Sequence, residues 1–524
     1  MRWVFIRPRN YSPYYDPEIQ EPLGLEYLAA HKQSQGDKVL ILDSTLGFLS
    51  DQKLARRAVS FQPDAIGFSL TTALETEFVA PIHSECIRAL KGRKVHWLAG
   101  GNFISTEPET ALRQLPSDFQ IVCYEGENGL DEMRKLWEKE SLKKNDQNSL
   151  TNADRLYKSK PVENLDTLPF PIRPFADQIL ANNWAFNLQG SRGCCGKCRY
   201  CSSPGMSGVS ANKWRGRSVV NIADEISFLN RKYAARAFNF VDEDFLGTKS
   251  LALQRARGFA NEIRKRRLQI SFGIQVRPDT LNEEAVNLLT KVGLIYVFMG
   301  IESDETEDYK RWNRPWTSDP WQYVEMIRRG GAEINVGVLM FHTHSTFQGI
   351  RRFANKLREH RLLEYRSAIN RMDAMPGSVF YKKAMRSGQL DPEISGPQSL
   401  PFIYPGIQEF YNDLLDALSP LGPPSMHALC SLPPLLTQCR FEEQSRSEHR
   451  ELMRIICLLD DAVARTFFAV LDFHEKGLGN KNHVAEMRQR NLRIAIKGVR
   501  YLAENGFVNS FDELRQAITL DSGL

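Results

Sequence analysis

Residues 1 to about 137 alternate between short apolar runs and segments with the apolar spacing of amphipathic helices. The apolar runs are rich in β-branched and aromatic residues and are bounded by turn residues, as is typical of strands. Near-continuous apolar strands that alternate with helices predict a parallel sheet covered on both faces. The predicted strands are WVFIRP (3–8), VLILDS (39–44), DAIGFSL (64–70), VHWLAGG (95–101) and FQIVCYEGE (119–127).

The loops after these strands form the predicted ligand-binding edge of the sheet. Sheets of this kind bind ligands at the carboxyl ends of their strands. We therefore expect a cofactor to contact this edge, although a need for tight turns would also explain each glycine. The candidate residues are Ser69, Thr71, Gly100, Gly101, Glu125, Gly126 and Glu127.

A second alternation of strands and helices begins near Trp184. Six consecutive strand–helix units predict a partial TIM-type (β/α)6 barrel, in which chemistry takes place at the carboxyl ends of the strands. The expected fold class is therefore α/β, with a doubly wound Rossmann-like sheet followed by this barrel. The six candidate strands are WAFNLQGSRG (184–193), AFNFVDEDF (237–245), QISFGIQVRP (269–278), LIYVFMGIES (294–303), EINVGVLMFH (333–342) and YRSAINRMDAM (365–375).

The rest of the chain connects and follows these two units. Residues 138–160 are polar and charged, which predicts an exposed connector, and the four prolines of residues 161–176 predict a strap between domains. Beyond about residue 387, proline-rich loops precede amphipathic segments that predict a mostly helical domain. Its helices could form a lid or a substrate-recognition module over the barrel mouth. The expected domains are residues 1–137, a linker at 138–182, the barrel at 183–387 and the helical domain at 388–524.

The composition and the net charge limit the classes of protein to which the chain can belong. The chain has 524 residues, of which 42% are hydrophobic and 25% charged, as in ordinary globular proteins of about three domains. No apolar run is long enough to predict a transmembrane segment, and the N-terminus turns polar too early for a signal peptide. A net charge of +5 without a basic block argues against a nucleic-acid partner. We expect a soluble, cytoplasmic protein.

Four of the nine cysteines lie between Cys194 and Cys201, directly after the first barrel strand. Three thiolates on one loop can hold an iron–sulfur cluster, and two spacings are available. The set Cys195, Cys198 and Cys201 forms C-x2-C-x2-C. With Cys194 in place of Cys195 the spacing becomes C-x3-C-x2-C, which leaves one iron open to a substrate or cofactor. Zinc is disfavoured because a structural site would need a fourth ligand, and a redox disulfide is the other alternative.

An aromatic residue, Tyr200, stands just before the last cysteine, and with it the C-x3-C-x2-C spacing resembles the signature of the radical S-adenosylmethionine (SAM) superfamily. The resemblance extends to about residue 385 and indicates the subgroup with an N-terminal cobalamin-binding domain. In the barrel it rests on WRGRS (214–218), FVDEDF (240–245), VRPDTL (276–281) and VGLIYVFMGIES (292–303). In the N-terminal domain it rests on EPLGLEYLAA (21–30), LDS (42–44), PDAIGFSLTT (63–72), AGGNFISTEPE (99–109) and EGENGLDEM (125–133).

The resemblance implies three cofactors: a [4Fe-4S] cluster on Cys194, Cys198 and Cys201, SAM at the open iron, and cobalamin. Cys195 is then a neighbour that does not bind the metal. The implied activity is a radical reaction, most often the methylation of an unactivated carbon in a biosynthetic pathway. A cobalamin-dependent radical cyclase or rearrangement enzyme and, from another class, a non-catalytic iron–sulfur protein are the alternatives. The implied partners are a small-molecule or peptide substrate and a reductant such as flavodoxin or ferredoxin.

The matching motifs place candidate cofactor contacts on the barrel. Asp242, Glu243 and Asp244 end the second strand, where a carboxylate could hold the ammonium group of SAM, or one of them could cap the next helix. Strand alternation points Asp242 and Asp244 to one side and Glu243 to the other. Arg215 and Arg217 could bind an anionic group of a cofactor or remain solvated.

Three further residues are candidates for catalysis. Arg277 and Glu302 end successive strands, where they could contact SAM or form a structural ion pair with each other. His342 follows the fifth strand and could act as an acid or base, or pack within a polar loop together with His344. Tyr200, beside the last cysteine ligand, is expected to contact the cofactors.

The cobalamin motif departs from one known pattern. Some cobalamin domains carry D-x-H-x-x-G, whose histidine binds the cobalt, at the place of Asp43-Ser44-Thr45-Leu46-Gly47-Phe48. We expect Asp43 to contact cobalamin, but Thr45 stands where the histidine would be. The resemblance therefore implies cobalamin that is bound without a protein histidine from this motif.

Overall fold

The computed structural model describes eight stretches of the chain, and the outer part of the predicted C-terminal domain (505–524) lies outside them. Within these stretches no helix combines the length and the apolar character that crossing a membrane requires. The described residues are 1–9, 21–47, 49–142, 155–208, 213–315, 319–441, 445–477 and 481–504.

The N-terminal sheet has six parallel strands in the order β2-β1-β3-β4-β5-β6. Five of them confirm the predicted strands. The sixth strand lies inside the predicted connector and pairs with Ile121–Cys123, so the expectation of an exposed connector is wrong there. Its position is fixed by the buried Arg155, whose guanidinium donates to the carbonyl oxygens of Phe119 and Pro116. The strands are β1 (Arg2–Arg7), β2 (Lys38–Asp43), β3 (Ala65–Ser69), β4 (His96–Gly100), β5 (Phe119–Cys123) and β6 (Leu156–Lys158).

Helices cover both faces of this sheet and enclose one apolar core on each side. One core contains the apolar faces of α3, α4 and α6, and the other contains those of α1 and α7. This arrangement explains why the strands are apolar on both sides. The helices are α1 (Leu23–Ser34), α2 (Ser44–Gly47), α3 (Asp51–Ser60), α4 (Thr76–Leu90), α5 (Asn102–Thr106), α6 (Pro108–Gln114) and α7 (Gly126–Leu142).

The proline-rich segment connects the two units through one buried arginine. Arg173 Nη1 lies 3.1 Å from Glu21 and 3.2 Å from Glu26, which belong to the N-terminal unit. Its Nη2 lies 3.0 Å from Glu225, which belongs to the barrel. The segment then enters α8 (Ala176–Ala181), which leads into the barrel.

The second sheet has five parallel strands in the order β13-β12-β11-β10-β7. The sixth predicted strand is wrong for its first half, because Tyr365–Ile369 forms a helix, and only a single bridge joins Phe341 to Arg371. Polar residues interrupt that segment, so it lacks the apolar run that makes the other strands. The strands are β7 (Phe186–Leu188), β8 (Ser191–Arg192), β9 (Arg215–Gly216), β10 (Ala237–Phe240), β11 (Ser271–Val276), β12 (Leu294–Glu302), β13 (Glu333–Val338), β14 (Asp373–Ala374) and β15 (Gln398–Ser399).

Side-chain caps begin several of the barrel helices. Ser218, Asn282 and Thr346 each accept a hydrogen bond from the backbone N–H three residues later. Ser218 is the last residue of the WRGRS motif, and capping gives it a structural role. The helices are α9 (Ser203–Ser207), α10 (Val219–Tyr233), α11 (Ala252–Lys265), α12 (Glu283–Thr290), α13 (Thr306–Trp312), α14 (Trp321–Arg329), α15 (Phe347–Glu359), α16 (Tyr365–Ile369) and α17 (Val379–Arg386).

Four C-terminal helices pack against the barrel, but α19 does not cover its mouth. Thr437 on α19 is 3.0 Å from the hydroxyl of Ser271, the first residue of β11, and Phe441 lies under the guanidinium of Arg236 just before β10. Both contacts lie at the amino ends of strands, so α19 packs at the end of the barrel opposite the carboxyl ends. The expected lid is therefore wrong for this helix. The helices are α18 (Ile407–Leu418), α19 (Gly422–Phe441), α20 (Ser445–Glu475) and α21 (Lys481–Glu504).

Candidate functional site

The clustered cysteines lie on the segment between β8 and α9, which we call the cysteine loop (residues 193–202). Gly193 begins it with a φ of +81°, and a Cβ there would lie 2.5 Å from the carbonyl oxygen of Lys213, so only glycine fits. The Gly193 N–H donates to Oε2 of Glu243 at 3.0 Å. The start of the cysteine loop is thus fixed to the acidic end of β10.

Two of the predicted ligands face the same side of this loop. The Sγ atoms of Cys194 and Cys198 lie 3.3 and 3.7 Å from the position that a Cβ would take at Gly196. Burial raises the pKa of Cys194, and raises the pKa of Cys201 to about 11. Such thiols are poor nucleophiles at neutral pH, whereas a metal deprotonates a thiol that binds it. The loop is therefore better suited to holding a metal than to nucleophilic catalysis.

The donor set fits an iron–sulfur cluster better than a single ion. Across the described stretches, no group of three or more His, Cys, Asp or Glu side chains converges on one metal position. A four-iron cluster binds each thiolate through a different iron, so its ligands surround it rather than meet at a point. Cys194, Cys198 and Cys201, on one short loop, suit such a cluster with one iron left open.

Two arginines approach the thiols from the strand ends of the barrel. Nη1 of Arg277, after β11, lies 3.9 Å from Sγ of Cys194. Nη1 of Arg314, just beyond α13, lies 3.7 Å from Sγ of Cys198. Asp279 holds Arg277 through two hydrogen bonds of 2.9 Å. Arg277 opposes the burial that raises the pKa of Cys194.

Arg314 also joins Tyr200 and Glu302 into one buried group. Nη1 of Arg314 donates to the Tyr200 hydroxyl at 2.9 Å and lies 3.6 Å from Oε1 of Glu302. Glu302 ends β12 with a φ of +69°, an uncommon conformation for a residue other than glycine, and its carboxylate turns back over Gly300. Burial raises the pKa of Glu302, and Arg314 opposes this shift. The expected ion pair between Arg277 and Glu302 is wrong, because each has another partner.

The side chains of Asp242 and Asp244 are buried. Asp242 accepts hydrogen bonds from the N–H of Gly190 at 2.7 Å and from the hydroxyl of Ser191 at 2.6 Å. Burial raises the pKa of Asp242 to about 7, and that of Asp244 also to about 7. Asp242 therefore shapes the turn into β8 and does not face the cavity described next.

A cavity of about 400 Å³ opens at the carboxyl edge of the N-terminal sheet and reaches the start of the cysteine loop. Gly101, on its floor, has a φ of +108°, and a Cβ there would lie 2.4 Å from the carbonyl oxygen of Leu70. The cavity has an apolar, glycine-rich floor and a polar rim, which suits a large organic cofactor. The sequence-predicted residues that line it are Ser69, Gly100, Gly101, Glu125, Gly126, Glu127 and Glu243.

Two residues predicted at the same edge do not line this cavity. The N–H of Thr71 donates to the carboxylate of Glu75, which stabilises the turn before α4. Asp43 is buried, lies 2.6 Å from Nε of Arg7, and accepts a hydrogen bond from the N–H of Leu46 at 2.9 Å. Asp43 therefore begins α2, and the side chain of Thr45 lies outside the described residues.

The arginines of the WRGRS motif bind carboxylates of the protein itself. Nη1 of Arg215 lies 3.1 Å from Glu125, on the cavity rim. Nη1 of Arg217 donates to Glu225 at 2.5 Å and to the hydroxyl of Tyr27 at 3.1 Å. Neither arginine is solvated, and neither lines the cavity.

The side chain of Trp312 lies between His342 and Tyr200 of the cysteine loop. Its Nε2 is 3.3 Å from Asp308, and its ring meets Trp312 edge-on at 5.2 Å between ring centres. Trp312 in turn contacts the ring of Tyr200 at 5.8 Å. Its described neighbours therefore make His342 part of a packed polar loop, as the alternative interpretation of the sequence had it.

Two arginines beside the cavity and the cysteine loop, Arg192 and Arg314, were not predicted from the sequence. Arg192 lines the cavity and lies 2.7 Å from Glu127. Its place immediately before Gly193 was a usable signal. Arg314 offers no such signal, because only the turn after α13 brings it to Tyr200 and Cys198.

Comparisons with known proteins agree with this geometry. Residues 17–134 match the model of the B12 binding domain, and residues 188–357 match that of the Radical SAM superfamily. The chain is 28% identical over 292 residues to an uncharacterized methyltransferase of Pyrococcus horikoshii, which covers 54% of this chain and 61% of that protein. It is 24% identical over 330 residues to the anaerobic magnesium-protoporphyrin IX monomethyl ester cyclase of Synechocystis, which covers 59% of this chain and 62% of that protein.

A solved structure supports the fold over the whole chain. The cobalamin-dependent SAM radical enzyme OxsB, with aqua-cobalamin and SAM bound, superposes with a TM-score of 0.73 at 15% identity, covering 100% of this chain and 83% of that one. The chain spans about three fifths of the length of the two curated relatives. The two matched domains imply SAM, an iron–sulfur cluster and cobalamin as cofactors.

Proposed function

We propose that this member of the radical SAM superfamily with a B12-binding domain is a methyltransferase that acts on an unactivated carbon in a biosynthetic pathway. The observation that carries the proposal is the single cavity shared by the B12-domain edge and the start of the cysteine loop, with Gly100 on one side and Gly193 and Glu243 on the other. A substrate in this cavity would lie beside the proposed cofactor sites of both domains.

The residues around the cysteine loop divide into ligands, anchors and charge partners. Cys194, Cys198 and Cys201 would hold a [4Fe-4S] cluster. Glu243 belongs to the acidic segment that follows β10, and it lines the cavity. It is therefore the best candidate to bind the ammonium group of SAM. Arg314 is a second contact candidate, because it has donors beside Cys198. When bound, the cluster, SAM and cobalamin supply the radical and the methyl group, and the protein orients them and excludes water.

The cobalamin site fits a cofactor that lacks a protein histidine from the D-x-H-x-x-G position. Asp43 stands at the first position of that motif, and its carboxylate is already bound by Arg7 and by the N–H of Leu46. The glycine-rich floor at Gly67, Gly100 and Gly101 brings backbone, rather than a ligating side chain, toward the cavity.

A radical ring-forming or rearrangement reaction is the second candidate. It is favoured by the similarity to the magnesium-protoporphyrin ester cyclase. The two reactions differ in their products, since methylation releases S-adenosylhomocysteine together with 5′-deoxyadenosine, whereas a rearrangement does not require the former.

Reduction of the cluster requires a one-electron donor, for which a flavodoxin or a ferredoxin is suitable. Such chemistry needs a reducing, low-oxygen compartment, which is consistent with action in the cytoplasm on a small molecule or peptide.

The test is a quantification of iron, sulfide and corrinoid in protein purified without oxygen from cells supplied with cobalamin. We expect about four irons and about one corrinoid per chain. Four irons without corrinoid, even after reconstitution, would contradict the methyltransferase proposal and leave a rearrangement as the leading activity. A protein without iron would contradict both candidates.

The cysteine loop provides a matched control for the ligand assignment. Cys194→Ala should abolish the cluster, whereas Cys195→Ala, at the adjacent position and with the same chemistry, should retain it. If Cys195→Ala loses the iron and Cys194→Ala retains it, the C-x2-C-x2-C set is correct instead.

A further inference from the structure

Two arginines stand directly opposite each other in the short strand pair that leads into the cysteine loop. Arg192 on β8 is the register partner of Arg215 on β9, and Gly193 follows Arg192 in the chain. Cross-strand partners in such a pair project from the same face. Both guanidiniums therefore leave the barrel toward the N-terminal unit.

Both arginines bind the turn at the end of β5. Arg192 lies 2.7 Å from Oε1 of Glu127 through Nη2 and 3.2 Å from Oε2 of Glu125 through Nη1. Arg215 reaches both carboxylate oxygens of Glu125. The exposed fractions of the four side chains are between 3% and 13%. Buried guanidinium–carboxylate pairs with two contacts are strong and directional.

The residue that follows α9, the helix directly after the cysteine loop, contacts the same turn. Gly208, just after α9, has a φ of +64°, and a Cβ there would lie 2.4 Å from the ring of Tyr124. The turn at 124–127 therefore contacts the segment that enters the cysteine loop and the segment that leaves it.

Three of these four charged residues also line the cofactor cavity. Glu125, Glu127 and Arg192 line it, beside Gly126 and Gly193. Arg192 lowers the pKa of Glu127 despite its burial, so this pair is ionised at neutral pH. A ligand in the cavity and a cluster on the cysteine loop would thus act on one shared set of side chains.

We infer that Arg192, Arg215, Glu125 and Glu127 form an interdomain clamp that couples cobalamin binding in the cavity to cluster occupancy of the cysteine loop. The inference rests on the proposed function, and it assigns Arg215, Glu125 and Glu127 a positioning role in place of the cofactor contact that the sequence predicts. A bound cluster fixes the loop and with it Arg192, so less order remains to be created when cobalamin binds. Linkage requires that cobalamin strengthens the cluster site by the same factor.

The test compares the affinity of hydroxocobalamin for the full chain with its cluster present and with the cluster removed by chelation. Anaerobic titrations followed by the absorbance of the corrin give both dissociation constants. In the native protein we expect the cluster to tighten binding by about five-fold or more, the usual lower range of coupling between sites. In Glu125→Gln, which removes the charge between the two arginines, the ratio should fall to about one.

Two further variants separate the clamp from a general effect on the interface. Arg192→Lys keeps the charge but loses the two-contact geometry, so it should lower the ratio while the protein still folds, as checked by circular dichroism. Glu26→Gln removes an interdomain contact at Arg173 that does not touch the cysteine loop, and it should keep the native ratio.

The outcomes distinguish the inference from the proposed function. The clamp is overturned if the two dissociation constants of the native protein are equal. It is also overturned if both Glu125→Gln and Arg192→Lys show the same ratio of dissociation constants as the native protein. Either result leaves the proposal of a cobalamin-dependent enzyme intact. An equal loss in Glu26→Gln also overturns it, because any interface defect would then suffice. Absence of hydroxocobalamin binding to native protein that carries four irons would instead overturn the proposed function.

Discussion

Replacing Arg173 with methionine removes a buried guanidinium that joins the proline-rich segment to both units. The Arg173 side chain is 1% exposed, and its ion-pair partners Glu21, Glu26 and Glu225 are at most 1% exposed. It also donates to the carbonyl oxygen of Asn187 at 2.8 Å. Methionine has a comparable length and no charge, so Arg173→Met removes the cation beside Glu21 and Glu26, whereas Glu225 retains Arg217 at 2.5 Å.

The expected loss follows from the desolvation of those carboxylates. Breaking a buried ion pair by removing one partner costs about 3–5 kcal/mol. Burial already raises the pKa of Glu21 and of Glu26 while Arg173 lowers both, so in the variant these pKa values rise further. A carboxyl group with a raised pKa holds a proton in the folded protein that the unfolded chain has released, so stability falls as the pH rises. The loss should therefore be larger at pH 8 than at pH 6.

The assay is urea unfolding of the cofactor-free protein at both pH values, followed by tryptophan fluorescence and circular dichroism. Arg155→Met is the matched control, since that buried guanidinium donates to backbone carbonyl oxygens, and its loss should depend little on pH. A loss below about 1 kcal/mol for Arg173→Met, or one that does not grow from pH 6 to pH 8, would refute the reasoning.

Three further substitutions test the site. Gly205→Ala places a Cβ 2.7 Å from the Cα of Gly377, so it should lower the melting temperature and cost about 1–3 kcal/mol; unchanged melting would contradict the close approach. Asp242→Asn removes a carboxyl group whose pKa burial raises from 3.8 to about 7, so the decline in stability as the pH rises across that window should become shallower in urea titrations, and an unchanged slope would argue against it. Arg314→Gln removes the cation 3.7 Å from Sγ of Cys198, so iron retention should fall or the reduction potential, measured by spectroscopic titration, should become more negative; if neither changes, Arg314 does not act on the cluster.

Local patterns were sufficient for most of the fold. Five strands of the first sheet and five of the barrel are mostly apolar, with only isolated polar residues, and their turn residues identify them without tertiary information. The strand at 156–158 is only three residues long and lies within a polar stretch of sequence, and it forms because Arg155 binds carbonyl oxygens that are remote in the chain. The helix at 365–369 occupies the first half of a predicted strand for a related reason, since its packing partners come from C-terminal helices.

Local sequence also predicts part of the candidate site, whereas the rest depends on contacts between residues that are remote in the chain. The spacing of the cysteines indicates the cysteine loop, and the two glycines at the end of β4 indicate the cavity. Partner choice among charged residues is not a local property, so Arg215 and Arg217 were assigned to cofactors although they bind Glu125 and Glu225. Arg277 and Glu302 end neighbouring strands but do not pair, because Asp279 is two residues from Arg277 and Arg314 lies beside Glu302.

The distribution of apolar cores has a consequence for how the chain can be divided. The barrel and the C-terminal helices share one continuous core that includes Phe272, Phe341, Phe410 and Phe467, whereas the N-terminal sheet has two cores of its own. Truncation after about residue 387 would expose apolar side chains of the barrel that pack against the C-terminal helices, so we expect the barrel to be unstable without them. The N-terminal unit meets the barrel mainly through ion pairs, which suits a part that can be produced alone or exchanged between related chains as a module.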